Sequence, residues 1–508
     1  MKRLVLPILL LLACVIFFGF SLDDLSLIKG DENFYFSSAR RMIREGDWIT
    51  PRYHHHIRFE KPALYYWMVA LFFKLFGVSW FSARLTSVLS GSLTVLLVYL
   101  MALRLLSKKG ALFSPVILAT SFLFFWYSRT AVTDITFLFL VTSAFFLFLK
   151  GERDGKRAPI VLSAIPLGLS VMAKGPMGVM IFSLSIIFYL ISTKKRGVLN
   201  GPILILWISL VLLISLPWPL LMYKIHGMEY INHLWKVEAV DKAVGALINP
   251  EAGTGSVGAL IKYLFYYMPV VLFSFAPWSL FLPLSLKGAG ANSREDRLFI
   301  LSWFWSVFIF FTLASFKHTH YMLLLSPPLA MLIAGFFASA KNDLISRKGP
   351  VVIASGSVIV FLLLFWVALP KLDCGTIRSF SLKLAAEIRE QDEEIAVVSE
   401  GFNIRKIGAY LNNLVADTEP LSGDDLAQYT SVNKQYLTPF LESNRRVYCL
   451  VTKKDYLSSV LPESRDKFFI LDKSFMWKRF DIKNYLSAIR GRDWDALKEE
   501  AYLISNKK

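Results

Sequence analysis

Cysteine is scarce: Cys14, Cys374 and Cys449 are the three in 508 residues. They form no metal-ligand spacing, which argues against a cysteine-held metal centre. A Cys374–Cys449 pairing in an oxidising compartment stays open, because spacing alone does not establish disulfide geometry. Acid is also short, with 38 acidic against 56 basic residues and a net charge of +18. No G-x-x-x-x-G-K run occurs, so ATP-driven transport has no support. No G-x-S-x-G turn occurs either. Gly253-Thr254-Gly255-Ser256-Val257-Gly258 spells G-x-G-x-x-G. No strand precedes it and an apolar run follows, so the dinucleotide-site reading lacks its context, and a hinge is the better expectation. Strong internal repeats and low-complexity linkers are missing as well.

What is present is apolar. Hydrophobic residues make up 55% of the chain and aromatics 15%, with a mean hydropathy of +0.50. Apolar runs of about 17–25 residues recur, the mark of a polytopic helical membrane protein. Most of the basic excess falls in short loops between these runs. It reads as topology and contact with anionic lipid, not as a nucleic-acid module. Leu12-Ala13-Cys14 after Lys2-Arg3 resembles a lipoprotein cleavage site. The apolar run continues through Val15-Ile16-Phe17-Phe18, however, as in an uncleaved anchor.

Lys2 and Arg3 place the amino terminus in the cytoplasm, because positive loops stay inside. The segment Pro62 to Phe76 is short and carries Lys74, so it suits an interfacial or re-entrant helix. With that segment uncrossed, Arg104 to Lys109, Lys150 to Arg157, Lys194 to Arg196, Lys287 to Arg297 and Lys341 to Lys348 all fall inside. The expectation is about 11–13 spans. The favoured set is near 4–20, 81–103, 111–128, 131–149, 159–173, 176–193, 202–222, 260–285, 298–315, 320–338 and 351–369. Residues 1–370 then form a membrane domain with outer loops 21–80 and 223–259. Residues 371–508 form a soluble α/β periplasmic domain. In it, Glu394 to Ser399 and Arg446 to Thr452 read as strands, and Ser381 to Glu390 and Lys453 to Leu461 as helices.

The first outer loop breaks the charge rule with Arg40, Arg41, Arg44, Arg52, Arg58, Lys61 and Lys74. A solvated face and a basic collar for phosphates both explain it. Asp31-Glu32-Asn33-Phe34-Tyr35 puts two carboxylates at the start of a surface helix, with Asp31 and Tyr35 on one face. They either cap the helix or do chemistry at the membrane surface. Glu60-Lys61-Pro62 is a second acid at a helix start, with Pro62 suited to the first helical position. Lys61 could hold a phosphate there, aided by the helix amino end. Arg129 and Asp134 flank an outer turn, and Lys174-Gly175-Pro176 forms the next. Ionisable groups at that depth are functional by default, with a structural Arg–Asp pair as the alternative. His318 and His320, with Lys317 and Tyr321, bracket the start of a late span and are candidates for the same cavity. His54-His55-His56 is better read as an exposed loop than as a chelating face.

In order along the chain stand Asp31-Glu32-x-x-Tyr35, Ala39-Arg40-x-Met42, Gly46-Asp47-Trp48-x-x-Pro51, Phe59-Glu60-Lys61-Pro62-x-x-x-Tyr66-Trp67 and Phe81-x-x-Arg84-Leu85. Arg129-x-x-x-x-Asp134, Lys174-Gly175-Pro176 and Pro277-Trp278-Ser279-Leu280 follow. Over roughly residues 1–340 this ordered set resembles the bacterial GT-C fold glycosyltransferases of the aminoarabinose (lipid A) transferase type, relatives of the protein O-mannosyltransferases. The resemblance implies a polyprenyl-phosphate sugar donor used at the periplasmic face of the inner membrane. Asp31 and Asp134 match acidic positions near the reaction centre, with Glu32 beside Asp31 as a further candidate. Lys61 and Lys174 match positions for the donor phosphate, and Tyr35 and Tyr321 line the same pocket. Glu60 matches a position that can bind a divalent metal such as zinc, with His233 as its partner. Phe34 stands where these transferases commonly carry Arg, and the sequence around His233 matches weakly.

The expected function is transfer of a sugar from a polyprenyl phosphate to a lipid A-like glycolipid. A protein acceptor is the alternative within the fold, and a lipid-linked sugar flippase the alternative outside it. Transporter sites lie near the bilayer midplane, often between inverted repeats, whereas these charges gather at one face.

Overall fold

The computed structural model describes residues 2–22, 31–53, 56–234, 265–287, 290–314, 317–368, 380, 397–399, 448–453, 469–477 and 498–505. It divides into two compact units: residues 1–22, 39–51 and 58–361, and residues 23–38, 52–57 and 362–508.

The first unit is a bundle of apolar helices. Its helices are α1 (Lys2–Gly19), the later part of α2 (Glu32–Glu45), α3 (Leu64–Phe76), α4 (Trp80–Leu105), α5 (Lys108–Ala119), α6 (Phe122–Ser128) and α7 (Thr133–Asp154). They continue as α8 (Arg157–Leu162), α9 (Ala164–Lys174), α10 (Met177–Thr193), α11 (Gly201–Ser215), α12 (Pro217–His226) and α13 (Met228–His233). The last are α14 (Tyr267–Ser274), α15 (Leu282–Lys287), α16 (Arg294–Leu313), α17 (Ser326–Ser339) and α18 (Gly349–Leu362). Among the described residues, six helical segments are long and apolar enough to cross a membrane, or nine if each of three bent pairs is one span. Three shorter apolar helices, Val5–Gly19, Leu64–Phe76 and Met177–Thr193, accompany them.

The bends have identifiable causes. α11 and α12 meet at 41° where Pro217 opens the second helix, because proline lacks the N–H that would continue the ladder. α5 and α6 meet at 63° across Thr120 and Ser121, whose hydroxyls turn back onto the Val116 and Ile117 carbonyls. α4 and α6 approach closely at Gly91, where a Cβ would collide with the Ser128 hydroxyl. Outward faces carry exposed Ile205, Leu213 and Phe273, apolar surface of the kind that lipid covers.

Two buried arginines hold the start of the chain. Arg129 donates to the Phe18 carbonyl at 2.8 Å and to the Ser21 carbonyl at 3.4 Å. Arg84 donates to the Leu22 carbonyl. Arg129, which follows the end of α6, therefore ties down the end of α1.

At the opposite end of α7 a charged network joins three elements. Arg153 reaches Asp296 at 2.6 Å and Glu295 at 3.3 Å. Lys195 meets both Glu152 and Glu295 at 2.6 Å. Tyr189 donates to Glu152 at 3.3 Å. Burial opposes the Lys195 charge, but hydrogen bonds to Glu152 and Glu295 outweigh it and hold the ammonium above its ordinary range.

The second unit contains a two-residue hairpin, β1 (Arg52–Tyr53) with β2 (His56–Ile57), and a four-stranded sheet. The sheet strands are β3 (Val397–Ser399), β4 (Tyr448–Thr452), β5 (Phe469–Trp477) and β6 (Lys498–Ser505), in the order β3-β4-β6-β5. β3 and β4 are parallel; β6 is antiparallel to both neighbours. Ala501, Leu503 and Ile504 of β6 are fully buried. β3 and β4 fall where strands were expected. The expected helix Ser381 to Glu390, most of Lys453 to Leu461, Cys374 and the Gly253 to Gly258 run lie outside the described residues, as do His54 and His55.

Candidate functional site

The first carboxylate of α7 is positioned by its backbone. Val132 provides no side-chain cap, and Asp134 sits in the first turn, where the helix dipole favours an anion. The neighbouring Thr133 hydroxyl donates to the Ala173 carbonyl at 3.1 Å, which brings the start of α7 against the end of α9. There Lys174 ends its helix because Gly175 adopts φ +93°, a conformation that a Cβ would resist. Pro176 then precedes α10. The Lys–Gly–Pro turn thus aims one ammonium at one carboxylate: Lys174 Nζ donates to Asp134 Oδ1. Both side chains are largely enclosed, at 9% and 12% exposure.

A third element closes the site. The 3-10 turn Thr319–Leu325 carries His320 and Tyr321. His320 Nε2 lies 3.8 Å from Asp134 Oδ1. Lys174 Nζ stands 5.6 Å from the centre of the Tyr321 ring and 5.7 Å from that of Phe137, within range of cation–π attraction. His318 stacks on His320 at 5.0 Å, and Tyr321 meets His320 edge-on at 4.7 Å. Tyr127 of α6 lies 6.4 Å from His320. Phe311 backs Tyr321 at 4.6 Å. Lys317 donates to the Phe311 and Thr312 carbonyls at the end of α16; burial pushes its ammonium down to about 8. Beside this turn, Thr319 joins Phe265, Tyr266, Pro269, Val270 and Phe273 around an apolar cavity of about 580 Å³.

Glu60 and His233 meet around a different residue. The Phe59 ring packs against His226, Tyr230 and His233 at 5.5–5.6 Å. Glu60 Oε2 is 3.7 Å from Arg58 Nε. Glu60 Oε2 and His233 Nε2 are both buried without a hydrogen-bond partner among the described residues. They are two donors, one short of the three protein ligands usual at a catalytic zinc. Among the described residues no group of three or more His, Cys, Asp or Glu could hold a metal ion. The pair does not make a metal site by itself.

Lys61 is half-buried in the turn before α3. α3 begins at Leu64 after Ala63, which corrects the expectation that Pro62 opens the helix. The segment before it is drawn back by the Arg58 N–H bond to the Pro51 carbonyl at 2.8 Å. Lys61 consequently precedes the first turn of α3.

In the second unit, α2 starts at Glu32. Asp31 is exposed just before it, its carbonyl accepting from the Phe34 N–H at 3.2 Å. Glu32 and Tyr35 are buried. Phe34 packs edge-on against Tyr53 at 4.7 Å, and Asn33 donates to the Tyr53 hydroxyl at 2.9 Å. Phe34 therefore does packing where a charged residue was looked for.

Of the expected residues, the structure brings Asp134, Lys174 and Tyr321 into one cluster with His320, and places Glu60 and His233 about Phe59. Tyr127, Phe137 and His226 were missed by sequence reasoning. All three lie in aromatic or apolar stretches whose pattern speaks only of packing.

The profile of the dolichyl-phosphate-mannose-protein mannosyltransferase family matches residues 60–221. The chain is 32% identical over 335 residues to an uncharacterized protein of Aquifex aeolicus, covering 66% of this chain and 73% of that one. It is 30% identical over 331 residues to the undecaprenyl phosphate-alpha-4-amino-4-deoxy-L-arabinose arabinosyl transferase of Edwardsiella ictaluri, covering 63% of this chain and 57% of that one. The alignments with such transferases span 57% to 60% of their length. The fold matches the crystal structure of ArnT from Cupriavidus metallidurans with a TM-score of 0.70 at 18% identity, over 99% of this chain and 98% of that one. The undecaprenyl phosphate-bound form of that protein matches with a TM-score of 0.67 at 19% identity, over 97% of each chain.

Proposed function

We propose that this chain, 30% identical over 331 residues to an undecaprenyl phosphate-alpha-4-amino-4-deoxy-L-arabinose arabinosyl transferase and matched over residues 60–221 by the dolichyl-phosphate-mannose-protein mannosyltransferase family, is a GT-C membrane glycosyltransferase of the aminoarabinose-transferase type that transfers a sugar from a polyprenyl phosphate to a lipid A-like glycolipid. The observation that carries this is the enclosed Lys174–Asp134 pair, walled by Tyr321 and Phe137. It offers one cation and one anion at a single end of the helices. Two relatives support the chemistry: one bears an arabinosyl transferase name, and ArnT was crystallised with undecaprenyl phosphate. The apolar cavity beside Thr319 suits isoprenoid carbon.

The reaction is a displacement. An acceptor oxygen attacks the anomeric carbon, the bond from that carbon to the phosphate oxygen breaks, and the lipid phosphate leaves with the electron pair. One displacement inverts the anomeric centre. Lys174 and Lys61 offset the charge of the leaving phosphate. Asp31 is the general base or orients the acceptor, with Glu32 beside it. Asp134 opposes the positive charge that develops on the sugar. Tyr321 lines the donor pocket. No step is routed through a metal.

In this reading six single helices, three bent pairs and two shorter helices make eleven crossings, with α3 at the interface. The amino terminus is cytoplasmic, and residues 371–508 form a periplasmic domain. The test uses purified protein with radiolabelled undecaprenyl-phosphate aminoarabinose and lipid A. Transfer should occur and should be lost in Asp31→Asn and Lys174→Ala while both variants still insert and fold. Full activity in both would dismiss the site. Movement of intact donor lipid between leaflets without transfer would identify a flippase instead.

A further inference from the structure

We infer that His226 and Thr50 form a latch that positions Lys61 for the donor phosphate. Both are positioning residues. The inference rests on the reading that Lys61 offsets the phosphate charge, and it adds the device that holds that lysine in place.

α12 builds one half of the latch. Trp218, Met222 and His226 recur every four residues, so they share one face of the helix. Trp218 and Met222 are buried, and His226 is the last residue of that face. Gly227 follows, and α13 then sets Tyr230 and His233 three residues apart on one face of its own.

The first outer loop supplies the other half. Asp47 Oδ1 accepts from the Ile49 and Thr50 N–H groups at 3.1 and 3.0 Å, which bends the chain after α2. The three residues after Asp47 are each gripped by a side chain from a helix. The Trp67 indole of α3 donates to the Trp48 carbonyl at 2.6 Å, and the Trp218 indole donates to the Ile49 carbonyl at 2.8 Å. Thr50 Oγ1 and His226 Nε2 share a hydrogen bond at 2.9 Å, and Thr50 is buried. The Pro51 carbonyl accepts from the Arg58 N–H at 2.8 Å, which draws the outgoing and returning legs of the loop together. The returning leg seats the Phe59 ring 5.5 Å from His226, 5.6 Å from Tyr230 and 5.5 Å from His233. Glu60 and Lys61 follow directly. All of these residues lie in the first unit.

His226 therefore touches both legs: Thr50 on the way out and Phe59 on the way back, two residues before Lys61. A lysine on a free loop surrenders conformational entropy when it meets an anion. On a fixed loop that cost has been met in folding, and binding is tighter by the difference. Trp67 and Trp218 hold carbonyls, which any residue would offer, so they fix the path of the backbone. Thr50 is gripped by its own hydroxyl, so this grip depends on the residue present. Substituting Thr50 removes the latch and leaves both indole bonds in place.

The experiment measures the affinity of full-length protein in detergent for undecaprenyl phosphate, with thermal unfolding followed in parallel. Thr50→Val removes the hydroxyl at nearly constant shape. His226→Phe removes the ring nitrogen and keeps a ring against Phe59. Each should weaken binding about fivefold, as expected for one lost hydrogen bond, and Thr50→Ser should bind as wild type. In a Lys61→Ala background Thr50→Val should cost nothing further, because the latch acts through that lysine. His226→Phe takes its place in this cycle if Thr50→Val unfolds. The latch is overturned, and the donor reading left standing, by any of three results: the same loss with and without Lys61, wild-type affinity in both latch variants, or a Thr50→Ser as weak as Thr50→Val. If Lys61→Ala binds as well as wild type, or wild type shows no saturable binding, the donor reading of Lys61 fails and takes this inference with it.

Discussion

The two ends of α7 carry charge in opposite styles. At one end stands Asp134 with Lys174, hemmed in by Tyr321, Phe137 and His320. At the other, about 27 Å along the helix, Glu152, Arg153, Lys195, Glu295 and Asp296 form a closed network in which acids and bases are shared among several partners. A shared network keeps counter-charges around any one member that moves, so it suits holding helices together. The Asp134–Lys174 pair, walled by aromatic rings with His320 3.8 Å from its acid, sets its lysine beside a site where an incoming anion could meet it, so it suits chemistry.

Breaking each end should separate the two roles. The largest effect belongs to the Asp134–Lys174 pair: Asp134→Asn should lower transfer by about a thousandfold, roughly 4 kcal/mol in barrier, with thermal unfolding in detergent unchanged. Glu152→Gln should do the reverse. It removes an acid buried to 4% exposure and should lower stability by about 3 kcal/mol, read by denaturant melts, while activity per folded molecule is kept. Loss of transfer at constant stability in Glu152→Gln would erase the distinction between the two ends.

A smaller effect sharpens the same contrast. Arg129 is charged and buried near Asp134 in sequence, yet its hydrogen bonds go to α1 carbonyls. Arg129→Met should cost about 2 kcal/mol of stability and leave the Km for donor unchanged. The smallest effect lies at the exposed end of α2. Burial raises the Glu45 carboxyl and hydrogen bonds from Arg41 and Arg44 outweigh it, so its pKa is lowered. That contribution is present above the ordinary carboxylate pKa and is lost as pH falls through the lowered value. After solvent screening it is at most about 0.5 kcal/mol, so Glu45→Gln should barely change a melting curve between neutral and acid pH.

Much of this was legible in the sequence, for physical reasons. Apolar runs and basic loops mark helices because lipid and topology constrain composition directly. Lys174-Gly175-Pro176 announced a turn that could aim a lysine, since only glycine takes its positive φ cheaply. Histidines beside Tyr321 were legible as cavity candidates. The choice of partner was not: Arg129 and Lys174 are equivalent cations in the sequence, and only packing sends one to α1 carbonyls and the other to Asp134. The start of α3 was misplaced because Pro62 fits the first helical position, while the Arg58–Pro51 turn delays the helix to Leu64. Tyr127 and Phe137 read as core because an aromatic beside a cation looks like any other apolar residue in one dimension.

The most direct test of the exchangeable pair is the affinity for undecaprenyl phosphate of Lys174→Ala and Asp134→Asn. If Lys174 leaves Asp134 for the phosphate, Lys174→Ala should bind about tenfold or more weakly. Asp134→Asn, whose lysine is already released, should bind more tightly than wild type. Equal weakening in both variants would mean that the pair is a fixed structural bridge, and the account of this site would be wrong.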